Sequence, residues 1–195
     1  MPFAVKKRRY TYQDYLTWPE DERWELIDGE AYCMSPSPKT RHQRILWNLS
    51  RAIDNQREAL KGCVPYIAPT DVVFDEFNVV QPDLFVVCSK KKITEENIQG
   101  APDLVIEITS PATELKDRRE KKALYERFGV KEYIIVFPER EYLERYLLKS
   151  KRYSAPEIFN WDEVLKIKTF RMELKLWEVF EKQLPEENDK EYRKI

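Results

Sequence analysis

One carboxylate stands where its neighbours argue against it. The run Asp103-Leu-Val-Ile-Glu-Ile-Thr109 is β-branched and nearly continuous, the pattern of a central strand covered on both faces, and Glu107 sits within it. An ionised carboxylate buried alone there costs several kcal/mol, so it needs a partner or a proton. Strand alternation sets Val105, Glu107 and Thr109 on one face and Leu104, Ile106 and Ile108 on the other. A second carboxylate, Asp83, opens the apolar run Asp-Leu-Phe-Val-Val directly after Pro82. Two carboxylates converging from neighbouring strands repel each other unless a cation lies between them. A hard divalent ion such as Mg2+ suits them, because it takes few protein carboxylates and keeps several waters. A third group comes from a helix. At about 100° per residue, Asp117, Lys121, Leu124, Tyr125 and Phe128 form one stripe, which aims Lys121 rather than Lys122 at the sheet. An ammonium there could orient a water or stabilise charge developing on a phosphate. Each group also admits a plainer role. Glu107 can pair with a buried Arg or Lys, Asp83 can simply open a strand, and Lys121 can snorkel out of an apolar face.

The elements that must position these groups are legible in outline. Thr11-Tyr-Gln-Asp14 spells a capping box for a short helix that runs to about Trp18 and breaks at Pro19. Extended runs over 23–27 and 30–34 flank Asp28-Gly29, a type I′ hairpin signal, and Ser35-Pro-Ser-Pro38 is a loop. Ile45, Leu49, Ala52 and Ile53 recur at helical spacing, predicting a long helix over about 39–61 with Gly62 as its C-cap. Extended runs follow over 64–67, 71–74 and 83–88, with a turn near 76–78. A charged connector over 90–100 leads to the strand at 103–109. A second long helix is predicted over 113–128, stopped by Gly129, and then a buried strand over 132–137. Strand, helix, strand in that order implies a right-handed βαβ crossover. Residues 142–148 alternate as a hairpin extension would, and 164–180 hold a strand and a short terminal segment. The expected fold is α/β, in the order α-β-β-β-α-β: a mixed central sheet flanked by helices, with N- and C-terminal additions. Residues 1–9, ending in Lys6, Lys7, Arg8 and Arg9, form a basic arm; 10–180 form the domain; 181–195 form a polar tail.

Composition removes several classes of chemistry. The 195 residues carry 34 basic and 35 acidic side chains, net −1, which excludes a polybasic binder acting through bulk charge but leaves room for a local basic groove. The four glycines fall too far apart for GxGxxG or GxxxxGK[ST] phosphate loops. With one histidine, His42, there is neither a Cys2His2 finger nor an HExxH site. No apolar run approaches the roughly 20 residues of a membrane span. No apolar segment follows the N-terminal charges, so no secretory leader is expected. The three scattered cysteines, Cys33, Cys63 and Cys88, argue against a disulfide framework and for a reducing cytoplasm.

The ordered set is more telling than its parts. Trp24-Glu-Leu-Ile-Asp-Gly-Glu30, Ser35-Pro36, His42, Gln81-Pro82-Asp83, Asp103 to Pro111, Asp117…Lys121…Tyr125 and Gly129-Val-Lys-Glu-Tyr133 together resemble the Uma2 family of restriction-endonuclease-like proteins, within the PD-(D/E)xK nuclease superfamily. The resemblance spans about residues 10–180. It implies a restriction-endonuclease-like αβββαβ core and a catalytic set of Asp83, Glu107 and Lys121, with Asp83 and Glu107 as ligands of Mg2+ or Mn2+. In the superfamily's usual pattern the lysine lies two residues beyond the acid; that position is Thr109 here, and Lys121 on the next helix takes the lysine's place. Glu25 aligns with an acidic position of the family and would add a metal or substrate contact; its alternative is an exposed strand residue. His42, at the start of the first long helix, would contact phosphate or water, or else cap or pack. Lys39, Arg41 and Arg118 are candidate contacts to a DNA backbone. The implied activity is metal-assisted hydrolysis of DNA phosphodiester bonds, in a cytoplasmic protein that can act as a homodimer. The alternative is a non-catalytic nucleic-acid-binding or regulatory protein on a nuclease scaffold.

Overall fold

The computed structural model describes residues 8–19, 21–34 and 37–184. The remainder of the predicted basic arm (1–7), Ser35-Pro36 and most of the predicted tail (185–195) lie outside the described residues.

Asp28 and Gly29 both take positive φ, 52° and 77°, as a type I′ turn requires, and join β1 (Trp24–Ile27) to β2 (Glu30–Cys33). Upstream, Thr11 and Asp14 close the capping box of α1 (Tyr12–Tyr15). Helix α2 (Thr40–Asp54) is shorter than its periodicity predicts, and a 3-10 turn (Arg57–Leu60) follows it. The reason is tertiary: the Gln56 side chain exchanges hydrogen bonds with the backbone of Glu173, which ends the helix against a distant hairpin.

The strands then divide between two sheets. β3 (Val64–Ile67), β6 (Leu84–Val87), β8 (Leu104–Ile108) and β9 (Glu132–Phe137) join β10 (Tyr142–Lys149), β11 (Arg152–Tyr153) and β12 (Glu157–Asn160) in a seven-stranded sheet. Its linear order is β11-β10-β9-β8-β6-β3, with β12 pairing β10. Only β8 and β9 pair in parallel in this sheet, so it is mixed as expected. β4 (Val72–Asp75), β5 (Asn78–Val80) and β7 (Ile98–Gln99) instead join β1 and β2 in a five-stranded sheet, β2-β1-β5-β4-β7. The predicted turn at 76–78 is thus the tip of a β4–β5 hairpin, and the charged connector contributes a short parallel strand. A third pair, β13 (Val164–Ile167) with β14 (Met172–Lys175), and helix α5 (Leu176–Val179) complete the chain where one strand was expected.

The predicted second long helix is three pieces: α3 (Glu114–Lys116), a π-helical turn (Asp117–Lys121) and α4 (Lys122–Phe128), ended by Gly129 at φ 84°. The order α2-β3-β6-β8-α4-β9 forms the αβββαβ core. Leu104, Ile106 and Ile108 of β8 pack with α2, β13–β14 and α5, while Val105 packs with Leu124, Tyr125 and the five-stranded sheet. That two-sided cover explains the continuous apolar pattern of β8.

The cysteines form no framework, but two of them pair where a reducing compartment was expected. Cys63 and Cys88 form a disulfide, and Cys33 is free. The antiparallel register Val64↔Val87 brings residues 63 and 88 opposite each other at the end of the β3–β6 ladder, a proximity that a sequence separation of 25 conceals. Among the described residues no helix is long and apolar enough to cross a membrane.

Candidate active site

Strand alternation turns Glu107 away from α2 and toward the helix that carries Lys121. Both side chains are buried, each residue 3% exposed. Lys121 Nζ donates to Glu107 Oε1 at 3.0 Å, sits 2.7 Å from Glu25 Oε1 and lies 3.9 Å from Asp117 Oδ1. Tyr125, one turn further on, donates its hydroxyl to the same Glu107 oxygen at 2.6 Å. The π-helical turn carries both Asp117 and Lys121 inward, and the Tyr133 hydroxyl donates to the Asp117 carbonyl and braces it. A π-turn widens the helix locally, and such turns concentrate at functional sites.

Glu25 is fully buried, not the exposed strand residue of its alternative role. It reaches the cluster because β1 pairs β5 and so lies against the start of the Gln81-Pro82-Asp83 segment. Its Oε2 accepts from Lys116 Nζ at 2.6 Å, and the Gln81 backbone N–H donates to Oε1 at 3.3 Å. Asp83 enters from the other side. Its Oδ2 accepts from the Ile108 backbone N–H at 2.7 Å, and His42 Nε2 lies 3.2 Å from Oδ1. His42 Nδ1 is buried and has no hydrogen-bond partner.

The two glutamates share one lysine but titrate in opposite directions. Burial pushes Glu107 up to about 8; the Lys121 charge opposes this, while Asp117, Asp83 and Glu25 reinforce it. Burial also raises Glu25, but Lys121 and Lys116 together outweigh it and its pKa is lowered. The difference is in the partners: Glu25 has two ammonium groups, whereas Glu107 has one and three acidic neighbours. Burial raises Asp117 as well. Burial disfavours the charged form of Lys121, yet Glu107, Glu25 and Asp117 hold it protonated far above the ordinary lysine value.

These groups line a cleft of about 1110 Å3 whose wall also includes Arg23, Lys39, Arg41 and Lys116. Four carboxyl groups, Glu25, Asp83, Glu107 and Asp117, meet two ammonium groups here, and burial pushes Glu107 and Asp117 toward their neutral forms. Hard oxygen donors opening on a cleft fit a hard divalent cation. Among the described residues no group of three or more His, Cys, Asp or Glu side chains is arranged to hold a metal ion.

The structure thus brings together Asp83, Glu107, Lys121, Glu25 and His42. Lys39 and Arg41 line the cleft wall, near Glu139 (3.9 Å) and Glu141 (2.7 Å) respectively. Arg118 does not line it; its guanidinium pairs with Glu144 at 2.6 Å and lies over the Phe137 ring. Sequence reasoning did not give Asp117 or Tyr125 a place in the site, although both lie on the stripe that singled out Lys121.

The fold is shared with a known nuclease-like structure. The crystal structure of a putative nuclease belonging to DUF820 from Anabaena variabilis superposes with a TM-score of 0.72 at 20% identity, covering 88% of this chain and 97% of that one. The family follows from the sequence itself: the chain belongs to the Uma2 family, "putative restriction endonuclease", whose pattern matches residues 12–178. An uncharacterized protein of Synechocystis sp. is 32% identical over 118 residues, which make up 58% of this chain and 60% of that protein's length.

Proposed function

We propose that the chain is a metal-dependent endonuclease that hydrolyses DNA phosphodiester bonds, with Asp83, Glu107 and Lys121 as its catalytic residues. The convergence of Asp83 and Glu107 with the buried Lys121 ammonium on one wall of a basic-flanked cleft supports this most. Asp83 and Glu107 would hold Mg2+ or Mn2+, which when bound polarises a phosphoryl oxygen and acidifies a coordinated water. The chain's own groups do the rest. Lys121 Nζ presents positive charge where negative charge builds on the scissile phosphate, and its contacts to Glu25 and Glu107 fix it before substrate arrives. Asp83 is oriented by the Ile108 N–H and flanked by His42. Glu25 positions Lys121 and Lys116 together. Lys39, Arg41 and Lys116 take the DNA backbone, through contacts that weaken with salt. Cutting both strands of a duplex calls for two such sites, hence a homodimer.

A second reading has its own observation. Glu107 Oε1 already satisfies both Lys121 and Tyr125, as a closed structural ion pair would, which favours a non-catalytic nucleic-acid-binding or regulatory protein on this scaffold. Supercoiled plasmid incubated with Mg2+, Mn2+ or EDTA separates the two, with wild type compared against Glu107→Gln. Metal-dependent nicking by wild type alone is the expected result. Equal nicking by both removes Glu107 from the site. No nicking by either, with DNA still bound, favours the second reading.

A further inference from the structure

A second cavity adjoins the cleft, and Pro69 and Gln81 line both. It holds about 390 Å3, within the range of small-ligand sites. Its charged lining has one sign: Asp71, Glu95 and Glu96, with no Lys, Arg or His among them. Asp71 is spoken for. The Tyr15 hydroxyl lies 2.9 and 3.0 Å from its two oxygens, and Gln81 Nε2 donates to Oδ1 at 2.9 Å. The other end of the Gln81 amide accepts from Arg23 of the cleft wall at 3.0 and 2.7 Å, so this side chain is stretched rigidly between the two spaces. Glu95 and Glu96 differ: both are exposed and neither has a hydrogen bond or ion pair among the described residues. Tyr66 supplies an aromatic wall, its ring stacked on buried Phe85 with centroids 5.6 Å apart.

Such a lining repels phosphate and accepts N–H donors. In a nucleic acid whose backbone follows the cleft, those donors lie on the bases. We propose that this cavity is a base-recognition subsite that takes an unpaired guanine next to the scissile phosphate. Glu95 and Glu96 accept from its N1–H and N2–H groups, and Tyr66 offers the ring a surface. Guanine is favoured because its free Watson–Crick edge presents two adjacent donors to one carboxylate, where adenine and cytosine present one amino group and thymine one imino group. The tyrosine face adds sequence-tolerant stacking. The inference rests on the nuclease reading and deepens it from phosphodiester chemistry to a base preference.

The test is fluorescence anisotropy in EDTA with single-stranded dT oligonucleotides carrying one central dG or one deoxyinosine, which lacks the N2 amino group. Wild type should bind the dG oligonucleotide about tenfold more tightly, the lower end of one good bidentate base contact. Glu95→Gln/Glu96→Gln should lose that preference while keeping metal-dependent cleavage of mixed-sequence plasmid. Sequenced cut sites should then lose their neighbouring guanine. Equal affinity for the two oligonucleotides in wild type, or a preference surviving in the variant, overturns the subsite and leaves the nuclease reading standing. No binding of any oligonucleotide overturns both. A lysine-rich peptide that binds wild type but not the variant, while the oligonucleotides are indifferent to the change, reassigns the cavity to a basic protein partner and also overturns the proposal.

Discussion

Replacing Lys121 with methionine keeps the bulk of the side chain and removes one charge from among three buried carboxylates, so its cost should depend steeply on pH. A charge pair at about 3 Å is worth about 5 kcal/mol at an effective dielectric constant near 20, and Lys121 makes two such contacts, with Glu25 and Glu107. Desolvation offsets much of that, and removing one partner of a buried pair costs about 3–5 kcal/mol in practice. The pH dependence follows from the three acids. Glu107 and Asp117 are raised even with the ammonium present, and without it both rise further. Glu25, lowered in the wild type, keeps only Lys116. A folded state whose carboxyls titrate above their unfolded values holds more protons than the unfolded chain, so the variant loses stability as pH rises from about 4.5 past the wild-type Glu107 value of about 8. Urea and thermal unfolding in EDTA should show a loss of about 3–5 kcal/mol at pH 8, or roughly 6–20 °C in Tm, and less than about half of it at pH 5. An equal loss at both pH values would mean that Lys121 contributes packing and not charge, and would refute an electrostatic role for it among these carboxylates.

Four further outcomes follow from the same geometry. Asp83→Asn should abolish Mg2+-dependent nicking of plasmid while leaving the far-UV circular dichroism of the wild type. Glu107 titrates above its unfolded value of 4.5, so its contribution to stability is full below that pH and is lost as pH rises through about 8; Glu107→Gln should flatten the metal-free stability profile over that window and leave Tm at pH 8 unchanged or higher. Mg2+ or Mn2+ should raise the Tm of wild type at pH 8 more than that of Glu107→Gln, with equal shifts counting against a site at Glu107. Reducing Cys63–Cys88, or the change Cys63→Ser, should lower unfolding free energy by about 3.5 kcal/mol, the loop-closure value for a separation of 25 residues; no change on adding dithiothreitol would mean that the bridge does not form in solution.

Local chemistry made much of the scaffold readable. Asp28-Gly29 forms the hairpin its dipeptide predicts, because few residues accept two successive positive φ values. Gly129 stops α4 at the predicted residue because glycine takes the left-handed conformation, here φ 84°, without steric cost. The stripe Asp117, Lys121, Leu124, Tyr125 points inward as a helical period requires, although the π-helical turn within it was not visible. Glu107 was conspicuous because a charge inside a β-branched run contradicts its surroundings, and contradictions of that kind survive without any knowledge of tertiary contacts.

Legible in the chain alone are the elements and the misfit residues they carry: β8 with Glu107, the strand after Asp83, the helix bearing Lys121, and a family membership written in their order. These signals span a few residues each and rest on backbone conformation and side-chain period. Where the strands go is settled by long-range packing. It diverted β4, β5 and β7 to a second sheet, buried Glu25 against two lysines, placed Cys63 opposite Cys88, and set a carboxylate-lined cavity beside the cleft. Each of these depends on which distant segments pair. That pairing is decided by the burial of whole faces, so no short window of the chain contains it.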